Sequence, residues 1–243
     1  MRGNRITSYI GIFLLALFIC VFILDVGYAY NDFVHNDFTY HGKNIKRIDI
    51  LHYANPQSSQ AKAVKVSDCY SLLGIKWNVL PINYNINPSN NQNISQDFVI
   101  NAVRNSAETW DNAISKELFY DPTIDYGVGD PRFDGKNSIA FSDIFLDQSL
   151  IGQTSLFFDG DTMSFIEFDM ILNNKLPFGD GKVNSNVMDI QNVITHEFGH
   201  GLGLGDIYDS RCTGVTMYAY GSFGEIIKRT VEKPDVKGIK KIY

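Results

Sequence analysis

Residues 194–206, ITHEFGHGLGLGD, constrain this chain more than any other segment. Side chains four apart on an α-helix point about 40° apart, so His196 and His200 leave one face and both imidazoles can meet a single ion. Glu197 stands beside the first histidine, off the ligand direction but near enough to reach a water on that ion. This is the HExxH arrangement, two ligands and a general base within little more than one turn. The plainer alternative is a pair of surface histidines on an ordinary helix. A catalytic zinc takes three protein ligands and keeps a fourth position open. No histidine follows His200, so a third downstream ligand is not an imidazole. Gly201, Gly203 and Gly205 are placed to end the helix, and Gly203 can take the positive φ that reverses the chain. Asp206 then swings back towards the ion; otherwise Asp206 caps a turn and a distant acid completes the sphere.

The N-terminus carries a different signal. Arg2 and Arg5 precede an uncharged apolar run at residues 6–24, Asp25 ends it, and Gly27-Tyr28-Ala29 offers small residues at a cleavage site. Residues 1–29 therefore read as a secretory signal peptide, or as an uncleaved anchor nearly long enough to span a bilayer. Either way the remainder is expected outside the cell, secreted or held at the surface through residues 6–24. Cys20 belongs to that run, leaving Cys69 and Cys212. In an oxidising compartment they are most simply a disulfide. Two buried thiols, or Cys69 as an inhibitory zinc ligand, are the alternatives.

With 44% hydrophobic residues the chain can build a core, and its formal net charge of −6 leaves no basic stripe for nucleic acid. Residues 30–68 read as a loosely structured polar leader. His35, His41 and His52 lie in it, 6 and 11 residues apart, a spacing that fits no compact site, and they read as solvated surface residues. From Cys69 onward, residues 77–86 read as a strand. Ser95 is expected to N-cap a helix to about residue 114, with apolar side chains at helical spacing. Short strands follow at 138–141, 149–158 and 164–172, then a helix at 187–202 and a last one starting at Pro234. The order predicts an α+β domain over 69–243.

The pattern His196-Glu197-x-x-His200-x-x-Gly203-x-x-Asp206 resembles the metzincin zinc peptidases, in the variant with Asp as third ligand typical of snapalysin-like enzymes. The wider chain is similar to the matrixin branch. Val215-Thr216-Met217-Tyr218 matches a Met-turn, residues 234–239 resemble the start of the C-terminal helix, and residues 164–173 resemble the strand before the zinc helix. The resemblance implies a small twisted mixed sheet, an active-site helix, a Met-turn beneath one catalytic Zn2+, and a C-terminal helix. Two features depart from it. No histidine lies between His52 and His196 to hold a second, structural zinc, and no cysteine-switch sequence surrounds Cys69. The acidic loops (Asp121, Asp125, Asp130, Asp134; Asp159, Asp161) are either a weakly supported Ca2+ site or plain solvated loops.

The resulting expectation is a zinc-dependent endopeptidase. His196, His200 and Asp206 hold the ion, and Glu197 is general base to a metal-activated water. Its partner would be a protein or peptide substrate laid along an edge strand, with 149–158 as the candidate. Tyr218 or Tyr220 would face the oxyanion or line the pocket wall. Membrane association is expected only if the N-terminal segment is uncleaved. The alternative function is a non-catalytic exported interaction domain with a structural metal site, in which Glu197 would have no task.

Overall fold

Residues 150–159 and 164–173 are apolar runs joined by a turn rich in Asp and Gly, and they fold back on each other as the central antiparallel pair of a sheet. In the computed structural model, which describes residues 34–54 and 68–243, the elements follow in chain order. They are β1 (Val34–Tyr40), β2 (Lys43–Tyr53), β3 (Ser71–Leu72), β4 (Asn85–Asn87), α1 (Gln96–Ile114), β5 (Thr123–Ile124) and β6 (Ser138–Ser142). After these come β7 (Leu150–Asp159), β8 (Ser164–Asn173), β9 (Phe178–Gly179), β10 (Met188–Asp189), α2 (Ile190–Gly201), β11 (Leu204–Gly205) and α3 (Lys233–Ile239). Seven strands form one mixed sheet in the order β1-β2-β7-β8-β6-β4-β5, parallel from β8 to β5 and antiparallel from β1 to β8. The α+β expectation holds.

The helices obey their sequence periodicity. Val99, Ala102, Val103, Ala107 and Trp110 put one face of α1 into the core, against α2. Ser95 does sit at the N-cap, but its hydroxyl makes no capping bond; its carbonyl accepts from the Val99 amide instead, at 3.1 Å. Pro234 lies in the first turn of α3, where its missing N–H costs nothing.

Two expectations need correction. Residues 77–84 are not a strand: only 85–87 join the sheet, with isolated bridges at Lys76 and Ile82. Pro81 has no N–H to offer a ladder. The leader is not loose where it is described. Residues 34–53 form a hairpin around His41 and Gly42, both at positive φ, and β2 pairs with β7 along nearly its whole length. The signal was the alternation of Ile48, Ile50 and His52, all buried on the face towards the core. The signal or anchor segment lies outside the described residues. Among the described residues no helix is long and apolar enough to cross a membrane.

Cys69 and Cys212 are joined by a disulfide across 143 residues, pinning the start of the domain to the loop after β11. Closing so long a loop restricts the unfolded chain strongly. Cys69→Ser should lower unfolding free energy by about 3–5 kcal/mol in denaturant titration under oxidising conditions. A change below about 1 kcal/mol would show that the bridge constrains little.

Candidate metal centre

Helix α2 carries the HExxH residues and is fixed at both ends and in its middle. At its start the Asp189 side chain accepts from the Asn192 amide (2.8 Å), while Arg229 grips that carboxylate and also Asp180. The indole of Trp110 donates to the Thr195 carbonyl (2.8 Å) and that of Trp77 to the Gly201 carbonyl (2.7 Å), so both tryptophans of the chain anchor this helix. The chain then reverses at Gly203, φ +101°, where a Cβ would lie 2.4 Å from the Ile75 carbonyl oxygen. That reversal brings Asp206 back over the helix.

His196 Nδ1 lies 2.7 Å from the Thr216 carbonyl and His200 Nδ1 lies 2.9 Å from the Leu204 carbonyl. A carbonyl only accepts, so each Nδ1 carries the proton and each Nε2 presents a lone pair. Those two lone pairs face each other at 3.1 Å. Asp206 Oδ1 sits 3.2 Å from one and 3.5 Å from the other, buried and without a hydrogen bond. Three electron-rich atoms driven together in a dry site repel unless a cation sits among them. Their spacing suits tetrahedral zinc, whose bonds of 2.0–2.1 Å put ligand atoms about 3.3 Å apart. The residues therefore fit the ion, and the donor set of two imidazoles and one carboxylate is one that zinc accepts.

Below the helix, Met217 is fully buried. The Met217 turn is tied to the Asp206 loop by hydrogen bonds between Ile207 and Met217 (2.9 Å) and between Ala219 and Ile207 (3.0 Å). Asp235, in the first turn of α3, accepts from the amides of Thr216 (2.9 Å) and Met217 (3.3 Å), so the last helix holds the turn whose Thr216 carbonyl orients His196. Burial pushes the Asp235 carboxyl up to about 6.

A fourth side chain, His52 of β2, enters this cluster. Its Nε2 lies 3.0 Å from His196 Nε2, 3.2 Å from His200 Nε2 and 3.2 Å from Asp206 Oδ2. One ligand atom from each of these four residues falls within 4.8 Å of all the others, the only such group among the described residues. His52 Nδ1 is 2.8 Å from Glu197 Oε1, an ion-pair approach without hydrogen-bond alignment. The other Glu197 oxygen accepts from the Thr154 hydroxyl at 2.5 Å. Burial disfavours charge on His52, but in the metal-free site the carboxylates of Glu197 and Asp206 outweigh it and raise the imidazole to about 10, so a metal ion taking Nε2 as a ligand would displace its proton. Glu197, which burial would raise, is drawn down to about 2 by His52, and Asp206 falls well below the usual carboxylate range for the same reason. Burial, with Lys228 and His52 near, lowers His196 to about 4.

The structure thus brings together His196, Glu197, His200 and Asp206 as the sequence pattern anticipates. It overturns the reading of His52 as a solvated surface residue: it is 4% exposed, while His41 is exposed in the hairpin turn. Sequence spacing could not find His52, because sheet pairing across about a hundred residues brings it in. Thr154 carries no sequence signal for the same reason. Strand β7, the candidate edge, is covered by β2. Tyr218 and Tyr220 pack edge-on against each other, and it is the Tyr208 hydroxyl that reaches Asp206 Oδ2, at 3.5 Å. The acidic loops engage their carboxylates locally: Asp125 with Lys136, Asp121 with Arg104, Asp134 with Arg132, and Asp130 with the Ser142 hydroxyl.

Gly199 leaves room for the turn beneath the helix, since a Cβ there would lie 2.2 Å from Met217 Sδ and 3.0 Å from the Trp110 ring. Gly199→Ala should cost about 1–3 kcal/mol by overpacking and weaken metal retention by displacing the Thr216 carbonyl. Denaturant unfolding and chelator competition would measure the two effects. Unchanged values in both would mean that Met217 repacks freely.

No curated protein matches the sequence. The matrixin family profile does, over residues 76–243, which takes in β4 to α3 and every residue of the cluster except His52. A match over more than half of the chain, together with the two-histidine, one-aspartate cluster, places it: the chain belongs to the matrixin family and carries a zinc metallopeptidase-type domain.

Proposed function

We propose that the protein is a zinc endopeptidase in which His196, His200 and Asp206 hold the ion and Glu197 is the general base. The observation that carries this reading is the convergence of two oriented Nε2 lone pairs and an unpaired Asp206 oxygen beside the Glu197 carboxylate. Zinc, when bound, supplies Lewis acidity that polarises a scissile carbonyl and makes water a nucleophile near neutral pH. Glu197 does the proton work. The Thr154 hydroxyl fixes one of its oxygens, and the other, Oε1, faces the cluster to take a proton from the attacking water and deliver it to the leaving amine. Asp206 balances part of the ion's charge, which makes the centre a milder Lewis acid than a three-imidazole site. A leading signal peptide or anchor at residues 1–29 would export the domain, and the disulfide suits that compartment.

A second reading has one observation in its favour. With His52 included the donors number four, and a closed four-ligand site is characteristic of structural zinc. Such a domain would be a non-catalytic exported interaction module. It leaves Glu197, buried at the centre and held by Thr154, without a purpose.

Metal content and casein hydrolysis separate the two readings when measured on the native chain and on His52→Ala, so that His52 cannot mask the chemistry. Glu197→Ala should keep one zinc per chain while chelator-sensitive hydrolysis falls by about 10²–10⁴-fold. Asp206→Ala should lose zinc affinity by roughly a hundredfold or more. Absence of chelator-sensitive hydrolysis in zinc-loaded protein, with or without His52, would leave the structural reading standing. Full zinc binding by Asp206→Ala would end its assignment as a ligand.

A further inference from the structure

From the path of β2 we infer that the leader strand is a built-in inhibitor, which lies in the substrate groove and closes the ion's open position with His52. The inference rests on the metallopeptidase reading above. A peptide bound by strand addition needs an unpaired strand edge, and β7 is the strand that runs past the cluster, with Thr154 bonded to Glu197. The outer edge of β7 is taken by β2, antiparallel, with Ile50 opposite Thr154 and His52 opposite Gly152.

Beyond His52 the leader is held from both sides. The Ala54 amide donates to the Ser149 carbonyl at 2.8 Å, and Ala54 pairs in parallel with Gly221, four residues after Met217. Residues 52–54 therefore run through a slot between β7 and the segment following the Met217 turn, as an extended substrate would have to. The register shifts between His52 and Tyr53, leaving Ile151 as the extra residue of a bulge. A bulge of this kind re-aims a side chain, and here His52 points at the two imidazoles and Asp206. The space left beside it, walled by Ile151, Val193, His196, Glu197, Ala219 and Lys228, is about 20 Å³, little more than a water needs. Ligand pockets usually span about 300–1,000 Å³, so a peptide side chain and its backbone have no room while β2 is in place.

His52 blocks in two ways. Its Nε2 takes the fourth corner of the donor set, and its Nδ1 approaches the Glu197 oxygen that the water would need. Beyond its backbone ladder, the strand that delivers it is fastened to β7 through the Asp49 carboxylate. Asp49 accepts from the Ser155 hydroxyl at 2.6 Å and from the Gln153 amide at 3.1 Å, both on β7, and from Arg47 within β2 at 2.8 Å.

The test uses the full chain loaded with cobalt(II), whose visible bands report the number of ligands, and acetohydroxamate, a small chelating probe that needs an open position on the metal. The wild type should show the intense bands of a closed four-ligand site. His52→Ala should show the weaker bands of an open site and bind acetohydroxamate about tenfold or more tightly. Asp49→Ala leaves all four donors and Glu197 in place and only loosens the strand, so its affinity should rise several-fold; it also serves if His52→Ala fails to fold. Equal spectra and equal hydroxamate affinity across metal-loaded, folded proteins would overturn the inhibitory role and leave the peptidase reading intact. Failure of wild type and variants alike to take up one metal per chain would overturn both.

Discussion

Two imidazoles are locked with their lone pairs facing one another, and everything else in the domain serves to keep them so. The Thr216 and Leu204 carbonyls claim the Nδ1 protons, which leaves His196 and His200 no other way to point. In a buried site that geometry is repulsive without a positive charge between the rings, so the fold stores a demand for a cation. Asp206 sharpens the demand by adding an anionic oxygen with no hydrogen bond of its own.

The supports reach across the whole chain. Trp77 and Trp110 bond to carbonyls at the end and in the middle of α2, Arg229 clamps the helix start, and Asp235 fixes the turn that carries the Thr216 carbonyl. Each is a buried or half-buried polar contact whose partner would be left unsatisfied if it were lost, which makes such a network more sensitive to substitution than apolar packing of equal size. The sheet contributes from the other side. Thr154 steadies Glu197, and the β7 backbone sets the distance at which any strand laid alongside must pass the cluster.

Much of this was legible in the sequence because it is local. The four-residue spacing of His196 and His200, the glycine that reverses the chain at 203 and the apolar periods of α1, β7 and β8 each depend on residues within a few positions of one another. What was not legible depends on pairing between distant segments. His52 reads as one of three scattered polar-leader histidines; its alternation with Ile48 and Ile50 marks the inward face, but only the register of β2 on β7 sets it at the cluster. Residues 77–84 show the converse: their alternation suggested a strand, but Pro81 and the pull of Trp77 towards Gly201 took the backbone out of the ladder. Asp235 looked like an ordinary first-turn acid, and its bonds to the Met217 turn come from tertiary docking.

The position of β2 along the chain has a further consequence in time. Translation delivers residues 43–53 first, then β7, and only afterwards the helix bearing His196 and His200. The cover is thus in hand before there is anything to cover. If β2 blocks the ion as inferred above, a nascent molecule holds its blocking strand before its ion-binding residues exist, and a peptidase centre of the kind proposed would never stand unguarded during its own synthesis.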